Sequence, residues 1–174
     1  MTSGASRRAR RSTSSSTDEL ELRDYQQNWV EAFLDRGSGV FVGPSGSGKT
    51  IGAIGAMAAV SGETLIIVPS RELAQQWQDE LLEKTTLRRR QIGRCHGGKK
   101  RIRPVTIATY DTAAMSRHRK LFNEREWGLV IADECHHAVA NTWKRFRDIQ
   151  STARLGLSAT PVRESRGRQR RSTR

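Results

Sequence analysis

The sequence predicts a three-layer α/β domain built on a mainly parallel sheet, and three observations lead there. Short apolar runs rich in β-branched residues, such as Thr64-Leu65-Ile66-Ile67-Val68, alternate with longer segments of helical periodicity. A glycine-rich stretch over residues 43–48 separates one such run from the helical pattern that follows it. The 174 residues suffice for one good hydrophobic core and fall short of two domains of ordinary size.

In chain order, a helix is expected over residues 24–35, closed by Gly37, followed by a buried strand over 39–42. Helix 49–60 and strand 64–68 come next. Ser70 is suited to cap the helix over 71–84, because its hydroxyl can accept from a backbone N–H of the first turn. In that helix Leu73, Trp77 and Leu81 recur on one face. Strands over 105–108, 129–132 and 155–157 complete the sheet. Trp29, Trp77, Trp127 and Trp143 fall where helix and strand packing needs them. Gly52 and Gly55 each cost about 1 kcal/mol inside a helix, which implies close packing against the sheet.

The formal charge of +13 suggests a polyanionic partner, but much of it sits at the ends. Residues 1–17 hold four arginines and no acid, and residues 163–174 hold six arginines against one acid, Glu164. Both ends, 1–17 and 166–174, are expected to be disordered tails around a folded body over 18–165. Within that body, Arg88, Arg89, Arg90, Arg94, Lys99, Lys100, Arg101 and Arg103 form a basic segment that fits either phosphate contacts or a solvated loop. The absence of a long apolar run or a secretory signal pattern leads to the expectation of a soluble cytoplasmic protein without a membrane partner. Cys95 and Cys135 form no CxxC pair, and with His96, His136 and His137 they match no zinc-finger spacing.

Gly43-Pro44-Ser45-Gly46-Ser47-Gly48-Lys49-Thr50 is a complete G-x-x-x-x-G-K-[ST] between a predicted strand and a predicted helix. Its glycines, Gly43, Gly46 and Gly48, together with Ser47, let backbone N–H groups wrap a phosphate at a helix N-terminus. Lys49 is then placed for the β and γ oxygens of ATP, and the Thr50 hydroxyl for Mg²⁺. A metal-holding carboxylate is required across the site, and Asp133 supplies it at the end of the apolar run Val130-Ile131-Ala132, with Glu134 next to it to polarise an attacking water.

Asp133-Glu134-Cys135-His136 resembles the D-E-x-H box of superfamily 2 helicases, and Leu157-Ser158-Ala159-Thr160-Pro161 resembles their S-A-T motif. Pro69-Ser70-Arg71-Glu72-Leu73-Ala74 is similar to their P-T-R-E-L-A segment, with serine in place of threonine, and Arg23-Asp24-Tyr25-Gln26 to R-x-Y-Q. All four motifs occur in family order between about Leu22 and Ser165. Within the superfamily the chain resembles the XPB-like branch, on Ile107-Ala108-Thr109-Tyr110-Asp111, the box with His137, and the run from Arg154 to Glu164. Ser165 stands where that branch usually continues R-E-D, which leaves the duplex-separating element unaccounted for. Restriction-enzyme motor subunits share most of the other motifs.

The resemblance implies a RecA-like, P-loop NTPase domain that binds ATP and Mg²⁺ and acts on DNA rather than RNA. It implies that Arg23 and Gln26 read the adenine edge, and that Arg71 and Thr109 touch the nucleic-acid backbone. It also implies that His136 senses the γ-phosphate and is coupled to Ser158 and Thr160. Gly97-Gly98 resembles a further backbone-clamping turn, and fits an ordinary turn equally. In the family a second RecA-like domain supplies an arginine finger. The chain stops thirteen residues after Pro161, so a truncated or split product with little turnover alone is expected, its second domain supplied on another chain if at all. A non-catalytic nucleotide- or nucleic-acid-binding domain and the motor half of a restriction-type enzyme are the alternative readings.

Overall fold

The computed structural model describes residues 20–135 and 149–159. The expected tails, and the candidates His136 and Thr160 with His137, Trp143 and Pro161, lie outside the described residues. Helix α1 (Asp24–Arg36) ends on Gly37, whose φ of 67° is the left-handed conformation that glycine takes at low cost. Strand β1 (Ser38–Val42) leads through the glycine-rich loop into α2 (Lys49–Val60). After β2 (Thr64–Val68), α3 (Arg71–Lys84) begins with the Ser70 hydroxyl accepting from the Leu73 N–H at 3.2 Å, the cap that the sequence leads one to expect.

Strands β3 (Ile92–His96) and β4 (Lys99–Arg101) then form a hairpin, followed by β5 (Val105–Thr109), α4 (Tyr110–Ala114), α5 (Ser116–Asn123), β6 (Trp127–Ala132) and β7 (Ser151–Ser158). The seven strands form one sheet in the order β1-β7-β6-β2-β5-β3-β4, parallel throughout except for β4, which runs antiparallel to β3. Strands β2 and β5 are buried along their whole length, as expected of a sheet covered on both faces. Ile66, Val68, Ile107 and Ile131 pack with Phe33, Ile54, Trp77 and Leu81 of α1, α2 and α3 on one side. Leu65, Ile67 and Val130 pack with Tyr110, Ala113 and Phe122 on the other.

The structure bears on one open alternative and corrects one expectation. The basic segment around Arg94 is not a solvated loop: Ile92 and Cys95 are buried, and the Arg94 guanidinium reaches α3, where it donates to Gln75 at 2.6 Å and Gln78 at 3.1 Å. A side chain on Gly93 would run into the backbone carbonyl of Arg101, so the hairpin closes only over glycine. The helical glycines do not both face the sheet. Gly52 lies against Trp29 and Phe41 of β1, but a Cβ on Gly55 would come within 2.8 Å of Leu22 and 3.4 Å of Val30, so that glycine lets α1 and its lead-in approach α2.

The parallel sheet has a consequence for function. Gly43 follows β1, Pro69 and Ser70 follow β2, Tyr110 follows β5, Asp133 follows β6, and Ser158 ends β7, so the motifs scattered through the sequence emerge at one edge. Crevices at the carboxyl ends of strands in such sheets are where ligands bind.

Candidate nucleotide and nucleic-acid sites

The loop after β1 is anchored at its start and tightly turned within. The Gly43 N–H donates to the Ser158 carbonyl at 3.1 Å, and the Ser47 N–H to the Pro44 carbonyl at 3.2 Å. Gly46 and Gly48 have φ of 79° and 73°, values that a side chain would strain. Lys49 opens α2, and its ammonium donates to the carbonyls of Gly43 at 2.6 Å and Pro44 at 2.9 Å. The ammonium is therefore held over the loop that the sequence assigns to phosphates.

The segment before α1 closes on this loop from behind. Gln26 is buried at 3% exposure; its amide N–H donates to the Gly48 carbonyl at 3.0 Å, and its carbonyl accepts from the Arg23 N–H at 2.9 Å. A Cβ on Gly48 would strike the Gln26 amide. The Tyr25 hydroxyl donates to the Ser47 carbonyl at 2.8 Å and accepts from Arg23 at 3.3 Å. The structure thus brings Gln26 to the glycine-rich loop, with its amide bonded to backbone, and links Arg23 to that loop through Gln26 and Tyr25.

Asp133 directly follows β6 and is 9% exposed. One carboxylate oxygen accepts from the Trp77 indole N–H at 2.7 Å and the other from the Glu134 N–H at 2.8 Å, while the Tyr110 hydroxyl donates to its backbone carbonyl at 2.6 Å. Burial pushes its carboxyl above the usual range, and the two N–H bonds and the positive charge of Lys49 pull it partly back. Glu134 has a φ of 48°, a conformation rare outside glycine and found where a site fixes the backbone. Thr50 and Asp133 share a cleft of about 20 Å³ with Gln76, Trp77 and Glu80. A hydroxyl and a carboxylate give hard oxygen donors, and Mg²⁺ is ordinarily held by one or two carboxylates with phosphate and water. The Thr50 hydroxyl and the Asp133 carboxylate, lining one cleft, fit that donor set.

A second and larger cleft, about 660 Å³, opens farther along the same edge. Arg71 at the start of α3, the Gly97-Gly98 turn of the hairpin, Lys100, Thr109, and Arg117 of α5 line it. Gly97 has a φ of 54°, and a Cβ there would lie 2.8 Å from the Arg71 guanidinium. The Thr109 hydroxyl is paired with that of Thr112 at 3.0 Å. Arg71, Thr109 and the paired glycines, named separately in the sequence, are one surface.

Comparison with known proteins agrees with this geometry. The family described as type III restriction enzyme, res subunit, matches residues 19–163. The chain belongs to that family. It is similar to the putative DNA 3'-5' helicase Rad25 of Haloarcula marismortui, 64% identical over 146 residues that cover 84% of this chain and 24% of the relative. The DNA 3'-5' helicase XPB of Mycobacterium tuberculosis is 45% identical over 149 residues, covering 83% of this chain and 27% of that protein. Its fold matches the Sulfolobus solfataricus SWI2/SNF2 ATPase core in complex with dsDNA, with a TM-score of 0.69 at 19% identity, over 83% of this chain and 33% of that one. The chain has the mostly parallel fold of such an ATPase core and spans about a quarter of the length of the curated relatives it matches.

Ser158 joins the glycine-rich loop to the end of β6. It is fully buried; its backbone carbonyl holds Gly43, and its side chain is hydrogen-bonded to Cys135, two residues beyond Asp133. Among residues given no site role in the sequence, Tyr25, Trp77 and Tyr110 each bond to the loop or to Asp133. Tyr25 and Tyr110 had a signal, their places inside the R-x-Y-Q segment and the run from Ile107 to Asp111. Trp77 acts through a tertiary contact that no spacing announces. Cys95 is buried in β3, with its thiol pushed up to about 11, where little of the reactive thiolate exists at neutral pH. Among the described residues no helix is long and apolar enough to cross a membrane.

Proposed function

We infer that this chain is the ATP-binding half of a DNA-dependent ATPase, a helicase or translocase motor. The observation that carries the reading is the shared edge. Lys49 and Thr50 after β1 face Asp133 after β6, while Arg71 and Thr109, after β2 and β5, line a cationic cleft beside them. Lys49 neutralises the β- and γ-phosphates by leaving the loop carbonyls for phosphate oxygens. Thr50 and Asp133 hold Mg²⁺, directly or through water, and the ion when bound draws charge from the phosphate oxygens. Glu134 orients and polarises the attacking water. Gln26 and Arg23 sense the nucleotide through the loop, since Gln26 is bonded to the Gly48 carbonyl, and present the adenine-side contact. Ser158, with Thr160 and His136, carries the state of the γ-phosphate toward the strand contacts.

Arg71 and Thr109 grip phosphodiester oxygens and position a strand without reading its bases. DNA is the preferred partner because the relatives are named DNA helicases. A second RecA-like domain, on the same or another polypeptide, supplies an arginine finger worth roughly 10³ to 10⁵ in rate, so this domain by itself turns over slowly. The test is ATP hydrolysis and Mg-ATP-dependent thermal protection of the 174-residue chain, with and without single-stranded and duplex DNA. Mg-dependent protection that Lys49→Ala removes supports the reading, and hydrolysis, however slow, should rise with DNA. Protection without any DNA-stimulated turnover, even after a second RecA-like domain is added, would favour a nucleotide-binding domain that does no work.

A further inference from the structure

Helix α3 touches both clefts. Its first residue, Arg71, lines the wide one beside Gly97 and Thr109. Two turns on, the Trp77 indole N–H donates to an Asp133 carboxylate oxygen at 2.7 Å, a bond between buried side chains 56 residues apart in sequence. Burying this indole does not by itself demand such a partner. Trp127, equally buried, gives its N–H to the backbone carbonyl of Phe122 at 2.8 Å, the ordinary solution. Trp77 instead uses its single donor on the buried Asp133 carboxylate, which lines the same cleft as Thr50. Because the other Asp133 oxygen accepts from the Glu134 N–H, both oxygens have a fixed donor and the plane of the carboxylate is set by protein groups alone.

We propose that Trp77 is a positioning residue which holds Asp133 in the orientation that serves Mg-nucleotide and, because it rides on α3 with Arg71, ties that orientation to occupancy of the wide cleft. This rests on the function proposed above. A strand gripped at Arg71 bears on the N-terminus of a 14-residue helix, and any shift of that helix is delivered to Asp133 through the indole. The coupling is reciprocal: if DNA alters Mg-nucleotide affinity through this contact, Mg-nucleotide alters DNA affinity by the same factor.

Trp77→Phe keeps a large aromatic ring in the core and removes the N–H. Binding of a fluorescent ATP analogue to the 174-residue chain, titrated with Mg²⁺ and repeated in EDTA and with a DNA duplex, separates the outcomes. The expected result is unchanged affinity in EDTA, with a Mg²⁺ half-saturation raised on the order of ten-fold or more, the usual cost of losing a group that orients a metal ligand. The DNA-induced change in Mg-nucleotide affinity should also shrink toward none. Equal half-saturation in the two proteins overturns the proposal, as does a loss of nucleotide affinity that is the same with and without Mg²⁺, which marks Trp77 as packing only. Wild-type protein that shows no Mg-dependent nucleotide binding at all overturns the functional reading instead. If the variant does not fold, the wild-type indole N–H resonance of Trp77 decides: it should shift when Mg²⁺ is added to the nucleotide complex, and a fixed resonance refutes the idea.

Discussion

The two clefts at the carboxyl edge of the sheet are built on opposite plans. On the nucleotide side the polar groups are already bonded within the protein: Lys49 to Gly43 and Pro44, Gln26 to Gly48, Asp133 to Trp77 and Glu134. Only about 20 Å³ lies open between Thr50 and Asp133. On the strand side about 660 Å³ is open, lined by the long cationic side chains Arg71, Lys100 and Arg117. The first site must exchange internal hydrogen bonds for ligand bonds, so its gain on binding is the difference between two good arrangements. The second, if it takes a strand as proposed, would gain by neutralising phosphates and releasing counterions, a salt-sensitive term with little geometric demand. On the proposed function, a tight, metal-dependent site stands next to a loose, electrostatic one, and α3 contributes to both.

Substitutions should expose that contrast, the largest effect first. Lys49→Ala removes the charge meant for the β- and γ-phosphates. Mg-ATP affinity, read by calorimetry, should fall at least about ten-fold, in line with the ~1.5–3 kcal/mol of a hydrogen bond to a charged group, while DNA affinity holds. Arg71→Ala should leave nucleotide binding intact and lower the slope of log affinity for DNA against log salt by about one, measured by fluorescence anisotropy. Gly97→Ala forces a side chain into a left-handed turn at about 1–2 kcal/mol and crowds the Arg71 guanidinium, so DNA binding and the melting temperature should both drop modestly. Tyr25→Phe deletes two exposed hydrogen bonds, to the Ser47 carbonyl and from Arg23, and nucleotide affinity should change by less than about 1.5 kcal/mol.

The same contrast should appear with pH. Burial raises the Asp133 carboxyl, so on acidification it takes up a proton at a higher pH than an exposed aspartate and gives up its attraction for Mg²⁺. The Mg²⁺-dependent part of nucleotide protection, followed by thermal denaturation from neutral pH downward, should fade before strand binding does.

How much of this was written in the sequence differs between the two clefts. The frame of the candidate nucleotide loop was legible because it is local: a strand, a glycine-rich turn and a helix start are contiguous, and α2, β2 and α3 have the bounds that periodicity gives. The shared edge followed from parallel strands alone. The strand cleft was legible only in pieces. Its wall includes the β3–β4 hairpin, where Gly93 and Arg94 interrupt the apolar alternation, and what makes the segment a strand pair is its pairing with β5 and the reach of Arg94 to α3. The short helices α4 and α5 offered too few turns for a periodic signal. Trp77 was correctly placed in the core, but the aim of its N–H depends on where β6 ends relative to α3, a relation that only the folded sheet defines.

The account stands on Lys49, Thr50 and Asp133 meeting around one metal-bound triphosphate. A crystal structure of the chain with a non-hydrolysable ATP analogue and Mn²⁺ in place of Mg²⁺, located by its anomalous signal, tests it most directly. The account predicts the ion bonded to the Thr50 hydroxyl, with Asp133 reaching it directly or through one water, and the Lys49 ammonium moved from the Gly43 and Pro44 carbonyls onto the β- and γ-phosphates. An ion bound away from both Thr50 and Asp133, or a nucleotide whose phosphates lie off the loop of residues 43–50, would contradict it.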